Sequence, residues 1–236
     1  LRAYFVLNTE PGLDSDLGAR AVETLKGSTL AVAMTPYKSA AQDWADVMLP
    51  IAPFTETSGT FVNAEGRAQS FKGVAAPVAD TRPAWKVLRV LGNLFELDGF
   101  DEETSESVRD TVISSGVVNR LSNEIKATPA LVAKVDGIER IADVPIYRTD
   151  AMVRRSEPLQ QTPASALPTA RMNADTFAQL QLVDGDQVRV KSAQGEISLT
   201  AQVDNTIAAN SVRIAAAFAE TAALGSAFGQ LTVERV

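Results

Sequence analysis

A change of hydrophobic period near Val144 constrains this chain more than any other feature. Before it, short apolar runs alternate with amphipathic helical stretches; beyond it, apolar residues recur at every second position. The first pattern suits a parallel sheet covered by helices, and the second suits strands with one buried face. The chain therefore divides into an α/β lobe over residues 1–100, a helical connection over 101–144 and a small β-barrel over 145–236.

Ala3 to Leu7 (AYFVL) is an apolar run expected to be covered on both faces, and NTEPG supplies a turn. A helix follows, with Asp14, Ser15 or Asp16 as its cap and Leu17, Ala21, Val22 and Leu25 on its inner face; Gly27 closes it. Thr29 to Met34 and Val47 to Leu49 supply two further strands, so the alternation is βαβ and the sheet parallel. A helix from about Pro83 to Leu97 places Trp85, Leu88, Leu91 and Phe95 toward that sheet. Asp101 to Glu106 puts negative charge at the start of the next helix.

Pro145, Pro158, Pro163 and Pro168 mark a segment suited to a linker or to a rim lying over another surface. Val188, Val190, Ile197, Leu199, Ala201 and Val203 alternate around a turn at 193–196, the pattern of a β-hairpin. SVRIA and LTVERV add two strands. Asn173 caps a short helix with Phe177 and Leu180 inward, and Asp184-Gly185 turns into the hairpin.

Composition excludes several chemistries. The chain has 236 residues with neither Cys nor His, so thiolate-ligated clusters, disulfides and Ser-His-Asp or Cys-His catalysis are ruled out for it. Lys and Arg total 22 against 29 for Asp and Glu, a net charge of −7, which gives no footprint for nucleic acid. The longest wholly apolar run, Ile214 to Ala219, is far short of a membrane span. An apolar run two residues after Leu1 suggests a fragment of a larger protein.

Residues Phe54 to Gln69 (FTETSGTFVNAEGRAQ) are dense in polar groups between apolar runs. An internally paired loop at the C-terminal end of the sheet would satisfy them, with Arg67 holding Glu56 or Glu65 and with Gly59 and Gly66 turning the backbone. On local chemistry alone, a site and a structural loop both remain open.

The order of residues points further. ADVMLP followed by Glu56, Gly59, Thr60, Phe61, Asn63, Glu65, Gly66, Arg67 and Gln69 resembles the molybdopterin oxidoreductase superfamily. Met172, Asn173, Asp175, Leu182, Asp184, Gly185, Asp186, Val188, Val190, Ser192 and Gly195 resemble its C-terminal dinucleotide-binding domain, which implies a double-psi type barrel. The RAYFVLNTEPG opening and the short barrel are most similar to the family of the large iron-sulfur subunit of bacterial NADH-quinone oxidoreductase, respiratory complex I. That resemblance implies a non-catalytic scaffold for an electron-relaying subunit whose iron-sulfur clusters lie in a missing N-terminal part. It implies other complex I subunits and that N-terminal part as partners, at the cytoplasmic face of the bacterial inner membrane without direct insertion. No catalytic, cofactor or metal residues are expected; Glu56, Asn63, Glu65, Arg67 and Gln69 form a vestigial loop. The tail Thr221 to Gln230 is uncharged and completes no phosphate-binding glycine motif, and Asp184 with Asp186 form a turn rather than a calcium site. The alternatives are the cofactor-binding C-terminal part of an active molybdopterin oxidoreductase, such as a formate dehydrogenase, and an unrelated soluble enzyme or small-molecule-binding protein.

Overall fold

The computed structural model describes residues 1–114, 116–117, 121–128 and 137–236. They fall into two compact units, one made of Leu1–Val32, Ser39–Asp46 and Val132–Val236 and the other of Ala33–Lys38 and Val47–Leu131.

The first unit opens with β1 (Ala3–Leu7), α1 (Pro11–Asp14) and α2 (Ala19–Lys26). The expected helix is α2, closed by Gly27 but begun by none of the three expected caps; its N-cap is Gly18. The Gly18 backbone is left-handed at φ 53°, and a Cβ there would lie 2.2 Å from the Ala222 carbonyl oxygen, so only glycine fits. The three expected cap residues are engaged elsewhere: Asp14 accepts from Glu10 N, Ser15 from Leu17 N and Asp16 from Ala227 N.

β2 (Leu30–Thr35) is the buried strand of a parallel sheet with order β1-β2-β3, where β3 is Val47–Pro50. Ala31 to Met34 are fully covered, as a central strand requires. β1 is an edge strand, and the expectation of cover on both its faces fails at the exposed Phe5 and Leu7. Asp46 closes the turn before β3 by accepting from Ala31 N at 2.7 Å.

In the second unit, β4 (Gly59–Val62) and β5 (Ala68–Phe71) form a two-stranded antiparallel ribbon. α3 (Ala84–Leu94) follows Pro83. Its expected inner face is only partly covered, since Leu88 and Phe95 are exposed. Gly92 is the buried position because the Phe100 ring occupies the space its side chain would need. α4 (Ser105–Ile113) starts at a reciprocal cap: the Thr104 hydroxyl accepts from Ser107 N while the Ser107 hydroxyl accepts from Thr104 N.

The remaining elements of the first unit are β6 (Ile138–Ile141), α5 (Glu157–Gln160), β7 (Ala170–Met172), α6 (Ala174–Gln179), β8 (Gln187–Lys191), β9 (Glu196–Val203), β10 (Ser211–Arg213) and β11 (Phe228–Arg235). The six strands close into a barrel in the order β10-β6-β11-β8-β9-β7. β8 and β9 are antiparallel neighbours, with Val188 opposite Leu199 and Val190 opposite Ile197, as the alternation predicts. β10 pairs parallel with β6, and β7 pairs parallel with β9. β6 lies inside the stretch read as a helical connection, yet Ile138 and Arg140 point into the barrel. Four residues are too few to register as a strand against that background.

Val188, Val190, Ala201, Val212, Ile214 and Met172 fill the barrel interior. Full burial of each larger aliphatic side chain stabilises by roughly 1.5–3 kcal/mol. The Asp184-Gly185-Asp186 turn is held by its own carboxylates, which accept from Val203 N and Val183 N. Asn173 caps α6 by accepting from Thr176 N at 2.9 Å. Asn173→Ala should therefore cost about 1 kcal/mol in urea unfolding, and Asn173→Asp should restore most of it; equal stability of the alanine variant and the parent would show that the cap does not contribute.

The Pro-rich segment is not a free linker but a run of short turns held down by charge. Arg154, with 4% of its side chain exposed, sits between Glu10 and Asp14 at 2.7 and 2.8 Å, and Arg155 binds the other Glu10 oxygen at 2.6 Å. The Arg154 Nε donates to Glu10 Oε2 at 2.8 Å. Its Nη2 is close to the same oxygen but poorly aligned, so that contact is ionic rather than a hydrogen bond.

Candidate functional site

The polar segment folds into the β4–β5 ribbon and the turns around it, a correction to the expected loop. Asn63 builds the ribbon's tip. Its Oδ1 accepts from Glu65 N at 3.1 Å and from Arg67 N at 2.9 Å, and Gly66 supplies the positive φ the turn requires. Gln69 is a strand residue opposite Phe61. Thr60 and Ser70 bond across the ribbon at 2.9 Å, and Arg109 donates to Ser70 while pairing with Asp110. The Phe61 and Phe71 rings stack at 5.1 Å on one face. Gly59 leaves room for this, because a Cβ there would meet the Phe71 ring at 2.8 Å.

The expected burial of Arg67 against a glutamate is overturned. Its guanidinium is 3.9 Å from Glu65, and the two side chains are 70% and 76% exposed. A hairpin tip held by Asn63 and Gly66 needs no charge pair, so both side chains project into solvent. Arg67→Ala should leave stability within about 0.5 kcal/mol of the parent in thermal unfolding; a loss several times larger would mean that the tip is covered.

Glu56 does not meet Arg67 either. It accepts from Val78 N at 3.1 Å and fixes the return of the chain toward Pro83. Together with Ser58, Thr104, Ser105, Arg82 and Lys86 it lines a cavity of about 560 Å³. The Ser105 hydroxyl donates to Ser58, also approaches Glu106 and thereby ties α4 to the ribbon. The Glu106 carboxyl is held below its ordinary range by its own backbone N–H and by Ser105. The cavity wall mixes carboxylates, cations and hydroxyls.

Sequence reasoning missed the polar groups of the barrel unit. Arg213 grips Asp143 with two bonds, 2.9 and 2.7 Å, and these hold the Asp143 carboxyl below its usual range. The pair lines a cavity of about 310 Å³ with Arg171, Thr169 and the proline turns. Arg140 is buried inside the barrel and donates to the carbonyls of Gly225, Ser226 and Ile214. Neither partnership has a local sequence signal, since the partners lie 70 to 86 residues apart.

A pterin dinucleotide brings a diphosphate, which needs free N–H donors or unopposed cations. Several described donors of the barrel unit are already engaged within the protein. Gly225 N is bonded to Ala222 O and Ala227 N to Asp16; Arg140 is occupied by carbonyls, and Arg213 is neutralised by Asp143. Arg171 donates to Thr169.

Comparison with known proteins relates these two folds to two families. Residues 1–94 match the family model of molybdopterin oxidoreductases and residues 145–236 that of the molydopterin dinucleotide binding domain. Among curated relatives, the chain is 27% identical to a subunit of NADH-quinone oxidoreductase from Rhizobium meliloti over 68% of its length and 21% of the relative's. It is 28% identical to the corresponding NADH-quinone oxidoreductase subunit of Mycobacterium tuberculosis over 86% of its length and 25% of the relative's. A Staphylococcus aureus protein provisionally named a formate dehydrogenase is 36% identical over 27% of the chain and 6% of that protein. The chain thus spans about a quarter or less of these relatives. Acetylene hydratase from Pelobacter acetylenicus shares the fold, with a TM-score of 0.59 and 14% identity over 92% of this chain and 37% of that one. No helix among the described residues is long and apolar enough to cross a membrane.

Proposed function

We propose that this chain is a C-terminal scaffold of the large iron-sulfur subunit of complex I, which supports a cluster-bearing N-terminal part and neighbouring subunits without doing chemistry itself. The observation that carries this reading is the engagement of the barrel's donors and cations within the protein, in a chain whose NADH-quinone oxidoreductase relatives align over most of its length. The absence of Cys and His fits it, because electron relay through iron-sulfur clusters then falls to residues elsewhere. In this role the protein binds no cofactor. It works at the cytoplasmic face of the bacterial inner membrane, against other complex I subunits.

The test uses the parent subunit in membranes. Deleting residues 145–236 is expected to abolish NADH-dependent quinone reduction through failed assembly, seen as loss of the intact complex on native gels. A Glu65→Gln, Arg67→Gln double variant is expected to assemble and to keep its activity per complex. If that double variant assembled fully and lost activity, the hairpin would be part of a working site and the cofactor-binding reading would replace this one.

A further inference from the structure

One surface of the second unit is left unexplained by that role. Leu49, Val87 and Val90 floor a groove of about 460 Å³, and Arg82, Lys86 and Arg89 line its rim. The lining includes no carboxylate. None of the three cations has an ion pair among the described residues: Arg82 donates to the carbonyls of Ala79 and Thr81, Arg89 donates to that of Glu102, and the Lys86 ammonium rests over the Trp85 ring at 5.3 Å. Three cations around an apolar floor are conspicuous in a chain of net charge −7, although Arg82 and Lys86 also line the neighbouring cavity with Glu56.

The floor also has direction. Val87, Val90 and Leu94 recur at spacings of three and four along α3, and Val90 and Leu94 are 51% and 73% exposed. This is a second apolar stripe of α3, and it is turned outward. It runs for about 10 Å along the helix axis. A stripe of that length suits another helix laid along it better than a compact small molecule.

We infer that this groove docks an amphipathic helix of a partner polypeptide, whose apolar stripe covers Val87, Val90 and Leu94 and whose flanking Asp and Glu side chains meet Arg82, Lys86 and Arg89. The charge pattern selects the partner. Apolar contact supplies most of the affinity, and the cationic rim fixes orientation, speeds encounter and rejects basic helices. A bilayer would meet the same charges, but a concave floor suits a rod better than a plane. The inference is independent of the scaffold role, because it rests on the groove between α3, Leu49 and Arg82.

The test is a titration of the purified chain with fluorescein-labelled helical peptides, read by anisotropy. One peptide carries Leu at spacings of three and four with flanking Glu, the second replaces Glu by Lys, and the third scrambles the first. The first should bind saturably and at least tenfold more tightly than the other two. Val90→Gln, on an exposed helix position, and Lys86→Glu should each weaken it about tenfold while leaving the thermal transition in place, and raised salt should weaken it further. Equal affinity for all three peptides, or binding that neither variant alters, would overturn the inference. Sedimentation of the chain with phosphatidylglycerol vesicles, lost in Val90→Gln without any peptide preference, would assign the groove to a membrane surface instead.

Discussion

Arg154→Ala should be one of the two most destabilising single substitutions in this chain, with a loss of about 3 to 5 kcal/mol in urea or thermal unfolding. The residue is almost fully covered, and its removal strands Asp14 and half of the Glu10 partnership in a setting where water cannot replace the guanidinium. It also donates to the Arg148 carbonyl at 2.7 Å, so a turn of the Pro-rich segment loses its anchor in the same step. Lysine should not rescue the site, because its compact ammonium cannot reach the positions that the separate nitrogens of the planar guanidinium occupy. In a Glu10→Gln background the same substitution should cost less by about 1 kcal/mol or more, the sign of direct coupling. Additive losses would show that packing rather than charge accounts for the effect.

The same cluster sets a pH dependence. Burial pushes the Glu10 carboxyl up, but the hydrogen bonds and charges of Arg155 and Arg154 outweigh it and hold the group below its ordinary value of 4.5. A carboxyl with a depressed folded-state pKa contributes stability above its unfolded value and loses it as the pH falls through the folded one. The parent should therefore be more stable than Glu10→Gln at neutral pH, and the gap should close as the pH is lowered below 4.5. A gap that stayed constant to the acid limit would mean that Glu10 titrates as it does in the unfolded chain.

Arg140→Ala is the second large effect, again about 3 to 5 kcal/mol, from a cavity in the barrel and three carbonyls left without a donor. Gly225, Ser226 and Ile214 belong to segments on either side of the chain's last turn into β11, and the guanidinium holds them together. Burial pulls the Arg140 pKa down and the charge of Asp16 pulls it up; the net effect is downward. Asp16 also accepts from Ala227 N, so cation and anion clasp one turn from both sides. Arg140→Met, which fills the space without donating, should recover the cavity part only and remain at least about 1 kcal/mol below the parent. If the methionine variant matched the parent, the carbonyls would have found other donors and the clasp would be dispensable.

The barrel was legible because its signals are local. The period-two alternation across Val188 to Val203, the Asn173 cap and the Asp184-Gly185 turn each act within a few residues, and each appears as predicted. Gly18 shows where local reasoning stops. The helix it opens is well patterned, and the carbonyl that demands a glycine there belongs to Ala222, about two hundred residues away. The polar segment was located correctly in sequence but misread in form. Asn63 and Gly66 carry the turn chemistry that makes it a hairpin, whereas attention to its charges suggested a buried pair. The two strongest charged clusters were invisible because Glu10 and Arg154, like Arg140 and Ser226, meet only through the fold.

Whether this part of the protein holds a cofactor of its own decides between a scaffold and a catalytic role. Metal and pterin analysis of the purified chain tests it most directly: iron and molybdenum by elemental analysis, and pterin by fluorescence after acid release. A scaffold should be colourless, with neither metal above background, no released pterin and a melting temperature unchanged by chelator. Stoichiometric molybdenum together with a fluorescent pterin would contradict it, and would make the chain the cofactor-holding part of an active molybdopterin oxidoreductase.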